Sequence, residues 1–206
     1  EGALEVRGQT LIRSDMPADK VFKAVRRSGE ITIEAWVRPA NTRQDGPARM
    51  VTLSANSSER NFTLGQEGDK VDVRLRTTKT SGNGIPSLNS PGRSLAPRLT
   101  HIVYTRNRGG RARLFLNGKQ QAEKRVPGAM ANWNGKYRLA LANELSSDRP
   151  WLGTFHLVAI YSRDLSVGEV AQHFKAGVNA RSTGAQLATR KQSPKEQFFD
   201  REIAPL

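Results

Sequence analysis

The feature that most narrows the fold is a two-residue alternation that keeps returning along the chain. In GEITIEAWVRP, Ile31, Ile33, Ala35 and Val37 fall on one side of an extended segment, and Thr32, Glu34, Trp36 and Arg38 on the other. That is the period of a strand with one buried side. Pro39 ends the run, because proline has no N–H to give to a neighbouring strand. Shorter runs of the same kind follow. ALEV and TLIRS flank Gly8, and ARMVTLSA, NFTLGQ, KVDVRLRTT, YRLALA and GTFHLVAIYS come after. Gly68-Asp69 sits between two of these runs as a hairpin turn.

HIVYTRNRGGRARLFLNGK, His101 to Lys119, shows the pattern twice. Ile102 and Tyr104 share one side of its first strand; Ala112, Leu114 and Leu116 share one side of the second. Arg111, Arg113 and Phe115 take the opposite side. Gly109-Gly110 turns the chain between the two strands and Asn117-Gly118 turns it again. Short strands at this spacing predict an all-β fold, a two-sheet antiparallel jelly-roll sandwich.

One short helix is expected after the last strand. Ser166 and Glu169 form a capping box, Val167, Val170, Ala171 and Phe174 make an apolar stripe, and Gly177 stands where a left-handed C-cap belongs. The helix is expected to pack on an edge of the sandwich. Residues 1–177 read as one domain, and 178–206 as a polar linker with the start of a following module.

The 206 residues suffice for one substantial core. No apolar run reaches the ~18–20 residues that span a bilayer, so no transmembrane segment is expected. The chain starts EGALEV, without Met or a signal peptide, and reads as a segment of a longer protein. With no Cys, disulfides, thiol catalysis and Cys-based zinc sites are excluded. The net charge is +14, and residues 101–150 carry half of it, ten Lys and Arg against three Asp and Glu. Such a field concentrates anions of any kind without choosing among them.

Glycoside hydrolysis needs two carboxylates about 5–9.5 Å apart on one face of a cleft. Glu30 and Glu34 share a face but stand about 13 Å apart, with Thr32 where the partner should be. Glu67 and Asp69 straddle a turn. No pair passes, which argues against an enzyme. His101, His156 and His173 are scattered without metal-ligand spacing. GNGIPSLNSPG lacks the Lys-Ser/Thr of a phosphate loop. Basic residues without interleaved aromatics do not make a single-strand platform, so no specific nucleic acid is expected. For a ligand, the irregular segment Lys79–Pro97 has the length of a binding loop. Arg106, Arg108, Arg111 and Arg113 would favour anionic groups by charge-assisted contacts. Trp36 reads as a core residue; Trp133 and Trp151, in loops, would either stack on a sugar ring or plug the ends of the sandwich.

Three of these stretches together resemble the laminin-G-like (concanavalin A-like) jelly-roll domain in its bacterial form. They are GEITIEAWVRP, HIVYTRNRGGRARLFLNGK and DRPWLGTFHLVAIYSRDLSVGEV, in order across about residues 2–177. The resemblance implies a non-catalytic recognition module, binding carbohydrate, anionic polysaccharide included, or another protein domain. It also implies an extracytoplasmic location in a larger exported envelope protein. A structural spacer without a small ligand is the alternative, and a glycosidase the less favoured one. Ca2+ is the cofactor such domains use when they have one; Asn143, Glu144 and Asp148 in ANELSSDRPW are the oxygen ligands it would take here. Where the family often has Asp in its last strand this chain has His156, which counts against a metal. The tail QFFDREIAPL is similar to the lead-in before cytochrome c-like domains of planctomycete-type envelope proteins.

Overall fold

The computed structural model describes residues 2–189, and among these it pairs twelve strands into two six-stranded antiparallel sheets. The first sheet runs, in spatial order, β1 (Leu4–Val6), β12 (Gly153–Tyr161), β3 (Ile31–Pro39), β8 (Thr100–Arg106), β9 (Arg111–Leu116) and β10 (Lys119–Arg125). The second runs β2 (Ile12–Arg13), β11 (Arg138–Leu141), β4 (Ala48–Ser54), β5 (Arg60–Glu67), β6 (Lys70–Leu75) and β7 (Leu88–Asn89). This is the jelly-roll sandwich that the alternation predicts.

The predicted inward faces meet in one core. Ile31, Ile33, Ala35 and Val37 of β3 join Ile102 and Tyr104 of β8 and Ala112, Leu114 and Leu116 of β9. They pack on Val51, Leu53, Phe62, Leu64 and Val73 from the second sheet. Each large aliphatic or aromatic side chain so buried contributes about 1.5–3 kcal/mol. β9 and β10 turn through Asn117 (φ 51°) and Gly118 (φ 76°), two left-handed residues whose twist matches the strands. The segment Lys79–Pro97 is packed: Leu88 and Leu95 enter the core, and the Ser90 hydroxyl accepts from the Val71 N–H.

A ten-residue helix, α1 (Asp19–Ser28), precedes β3 and is not anticipated from the sequence. Its signal is confined to Val21, Phe22 and Val25, with Gly29 (φ 70°) as a left-handed C-cap. The C-terminal helix, α2 (Val167–Thr189), starts as predicted. The Ser166 N–H donates to Glu169 Oε2 at 2.8 Å and the Glu169 N–H to Ser166 Oγ at 3.2 Å.

Two expectations about α2 are corrected. The helix does not end at Gly177 but continues to Thr189, through the first part of the segment read as a linker. Gly177 faces the Trp36 ring, and a Cβ there would collide with it. The glycine thus serves close approach, not termination. Nor does α2 sit on an edge: it lies across the outer face of the first sheet. Val170 and Leu165 cover Val103 and Phe115, and Phe174 stacks on Trp36 with ring centroids 5.8 Å apart. Trp36 is therefore buried as expected, but beneath α2 and outside the core between the sheets. The tail QFFDREIAPL lies outside the described residues.

Candidate functional site

Three connections meet at the Pro39 end of the first sheet and enclose a cleft of about 440 Å³. Gly8 and Gln9 come from the β1–β2 link, Gln44 to Gly46 from the β3–β4 link, and Asp148, Arg149, Pro150 and Leu152 from the β11–β12 link. The cleft stands on a buried amide frame. Gln44 Nε2 donates to the Leu152 carbonyl at 2.8 Å and to Gln66 Oε1 at 3.2 Å. Gln66 Nε2 donates in turn to the carbonyls of Asn41 and Gly68, both at 2.8 Å. With its amide groups so used, this frame fixes the loops without strand pairing.

The polar rim is held the same way. Arg149 Nε donates to the Gly46 carbonyl at 3.2 Å and its Nη1 to Asp148 Oδ2 at 3.0 Å. The Ser146 hydroxyl donates to Asp148 Oδ1 at 2.6 Å. Burial works against the charged form of Asp148, but the Ser146 hydroxyl and the Arg149 guanidinium outweigh it and hold the carboxyl below the usual range. Asp45 is exposed on the opposite lip. The cleft thus offers the exposed carboxylate of Asp45 and amide of Gln9, with the Asp148–Arg149 pair beside them, around Pro150 and Leu152, a surface that suits a polyol. The sequence holds a faint signal for it: QDG between Pro39 and Pro47, and DRP ahead of Trp151, are turn chemistry.

Trp133 and Trp151 face inward. They are 4% and 0% exposed, and their indole N–H groups donate to the Arg76 carbonyl and to Gln66 Oε1 at 2.8 and 2.9 Å. They plug the sandwich, and neither offers a face to a sugar.

The calcium ligands expected from ANELSSDRPW do not fit a metal. Asn143 Oδ1 accepts the N–H groups of Glu144 and Arg149. Glu144 is fully buried: it accepts from Arg49 Nε at 2.9 Å and from the Ser54 hydroxyl, with Arg60 Nη1 3.8 Å away. Asp148 is committed to Ser146 and Arg149. The three oxygen groups serve cations and donors that the chain itself supplies. Burial and the neighbouring Arg49 push the Arg60 guanidinium down to about 10, the mark of two arginines sharing one carboxylate in the interior.

The four hairpin arginines divide into two pairs. Arg106 donates to the carbonyls of Gly29, Val126 and Gly128 and is buried. Arg113, also buried, meets both oxygens of Asp164 at 2.8 and 2.9 Å. Neither is available to a ligand. Arg108 and Arg111 are exposed.

Beneath α2 lies a cluster absent from the sequence analysis. Glu34 accepts from His101 Nε2 at 2.9 Å through one oxygen, and through the other from His173 Nδ1 and the Tyr161 hydroxyl, both at 3.0 Å. Burial opposes the Glu34 charge, yet the bonds from His101, His173 and Tyr161 prevail and hold its carboxyl at about 2. Burial and the Glu34 charge push the Tyr161 phenol up to about 12. Residues 34, 101, 161 and 173 are too far apart in sequence for any spacing to announce them.

A family model of the concanavalin A-like lectin/glucanases superfamily matches residues 17–171. A search of curated protein sequences finds no match. Among solved structures, a CBM40 domain of the Ruminococcus gnavus IT-sialidase is similar at TM-score 0.64 and 16% identity, covering 84% of this chain and 97% of that one. The same domain is known bound to alpha2,3 sialyllactose, with the same score and coverage. The binding domain of botulinum neurotoxin DC, in complex with rat synaptotagmin II, is similar at TM-score 0.61 and 14% identity, covering 84% of this chain but 42% of that one. The chain thus spans less than half the length of that toxin chain. At such identities the likeness is one of fold.

Proposed function

The chain belongs to the concanavalin A-like lectin/glucanases superfamily, and from that membership we propose that it is a non-catalytic carbohydrate-recognition module of a larger exported protein. The cleft built by Gln44, Asp45, Asp148 and Arg149 carries this reading, because it places hydrogen-bonding groups around a small apolar floor at the rim of the sandwich. Carbohydrate is also what the structurally similar R. gnavus domain holds as sialyllactose.

The carboxylates support a binding role over a catalytic one. A glycosidase needs one acid with a raised pKa beside a second carboxylate. Asp148, at the cleft, is shifted the other way. Glu34 is charged, bonded to two imidazoles and a phenol, and roofed by α2. The anionic preference expected from the hairpin arginines does not belong to this cleft, whose lining sets Asp45 and Asp148 against Arg149 alone.

A glycan array of neutral and acidic oligosaccharides at low salt, probed with the 206-residue chain and with Arg149→Ser, tests the proposal. Binding to at least one oligosaccharide, weakened tenfold or more by Arg149→Ser, is expected. Silence across the array would leave a spacer without a small ligand.

A further inference from the structure

The far end of the sandwich has a different chemistry. β3 carries the chain roughly 26 Å, the eight steps of its nine residues at about 3.3 Å each, from the cleft at Pro39 to Ile31. There α1 ends at Gly29, and the β8–β9 turn packs against that end: a Cβ on Gly29 would lie 3.3 Å from Arg108 Cγ. Arg26 and Arg27 occupy the last turn of α1 and are exposed. On the adjoining hairpin Arg111 stands directly across from Arg125. A groove of about 400 Å³ runs there, lined by Arg111, Glu123, Lys124 and Arg125.

The local acids neutralise these cations only in part. Glu30 accepts the N–H groups of Arg108 and Asp164, Asp164 serves the buried Arg113, and Glu123 divides its oxygens between Arg111, at 3.5 Å, and the Gln120 amide, at 3.3 Å. Among the described residues the guanidiniums of Arg108 and Arg125 have no hydrogen bond or ion pair. Like charges directly opposite on a hairpin destabilise it, and an anion lodged between Arg111 and Arg125 removes that repulsion. Planar guanidinium forks suit sulfate and carboxylate groups. Among the described residues no exposed aromatic flanks the groove: Phe115 is buried and Phe22 lies under the Arg26 guanidinium, 5.2 Å from ring centroid to Cζ. Without a stacking surface the region does not suit bases.

We propose that this end is a second binding surface, separate from the cleft, for an acidic polysaccharide whose sulfate or carboxylate groups sit between Arg111 and Arg125 and continue past Arg108 toward α1. The choice of polymer rests on the carbohydrate reading above; the location does not.

The test measures binding of the full chain to dextran sulfate, to uncharged dextran and to duplex DNA of matched charge, between 50 and 300 mM NaCl, on the order of the range over which screening acts. Three proteins are compared: wild type, Arg108→Ser/Arg111→Ser/Arg125→Ser, and Arg149→Ser. Far-ultraviolet circular dichroism verifies folding, and Arg125→Glu alone serves as a second probe of the groove. We expect the triple variant to lose at least tenfold in affinity for dextran sulfate and Arg125→Glu at least threefold, with Arg149→Ser unchanged. Affinity of the triple variant within twofold of wild type overturns the proposal. So does an equal loss in Arg149→Ser, which would move the anion to the cleft, or DNA binding as tight as dextran sulfate. The cleft proposal is judged separately, by the array and its Arg149→Ser arm.

Discussion

At Gly177 two residue-scale effects oppose each other. Alanine inside a helix is worth about 1 kcal/mol over glycine, but here the added methyl meets Trp36. That ring packs in a cluster with His101 and Phe174, with centroids 4.6 and 5.8 Å away, and has little room to yield. Overpacking of this kind costs about 1–3 kcal/mol. Gly177→Ala is therefore expected to lower the unfolding free energy by a net amount on the order of 1 kcal/mol, seen as a lower urea midpoint; an unchanged or raised midpoint would refute the packing account. Glu144 is a sharper case. Glu144→Gln strips two fully buried arginines of their shared charge, and breaking such a pair costs about 3–5 kcal/mol. With a total stability of about 5–15 kcal/mol typical of a domain, the variant should unfold at markedly lower denaturant. A loss below 1 kcal/mol would mean that the network contributes little.

Among the elements, α2 depends on Glu34, which ties β3 to His101 of β8, Tyr161 of β12 and His173 of the helix. Its folded pKa, about 2 against an ordinary 4.5, sets the sign: stabilisation is complete above about 4.5 and is lost as the pH falls through 2. A shift of that size corresponds to up to about 3 kcal/mol. Urea midpoints of wild type and Glu34→Gln at pH 6 and pH 2.5 should converge at the lower pH. Curves that stay parallel would show that the carboxylate does not hold the helix. β10 presents the reverse logic. Its exposed KQQAEKR edge is rich in charge, the usual defence of an unpaired strand against pairing with another chain, and the same charges build the basic groove.

For the whole molecule, the folding unit reaches past the matched residues 17–171, because Phe174 and Gly177 still pack on Trp36. A chain ending at Asn179 should keep the thermal midpoint of the longer chain within a few degrees. One ending at Leu165 should lose several degrees and bind a hydrophobic dye, since Val103, Phe115 and Trp36 lose their cover. Equal midpoints for the two would detach α2 from the fold. The charge of +14 is also unevenly placed. The cleft end mixes both signs and the far end carries a surplus of arginine, so the long-range field favours approach of anions from one side.

Much of this was legible in the residues themselves. Strand periodicity, the Gly and Asn-Gly turns and the Ser166–Glu169 box are local, each set by a few neighbours in the chain, and they determined the two sheets, the inward faces and the start of α2. Local pattern could not say what covers an outward face. Thr32 and Glu34 alternate as a solvent-facing side would, and only α2 and the connection leading into it made that side, Trp36 included, interior. The same limit governed the arginines. Charge and residue type are identical at positions 106, 108, 111 and 113, while tertiary contacts gave two of them buried partners and left two exposed. A candidate site assembled from three loops and a surface assembled from a helix end and a hairpin exist only once the chain has closed, because the distances that define them are through space.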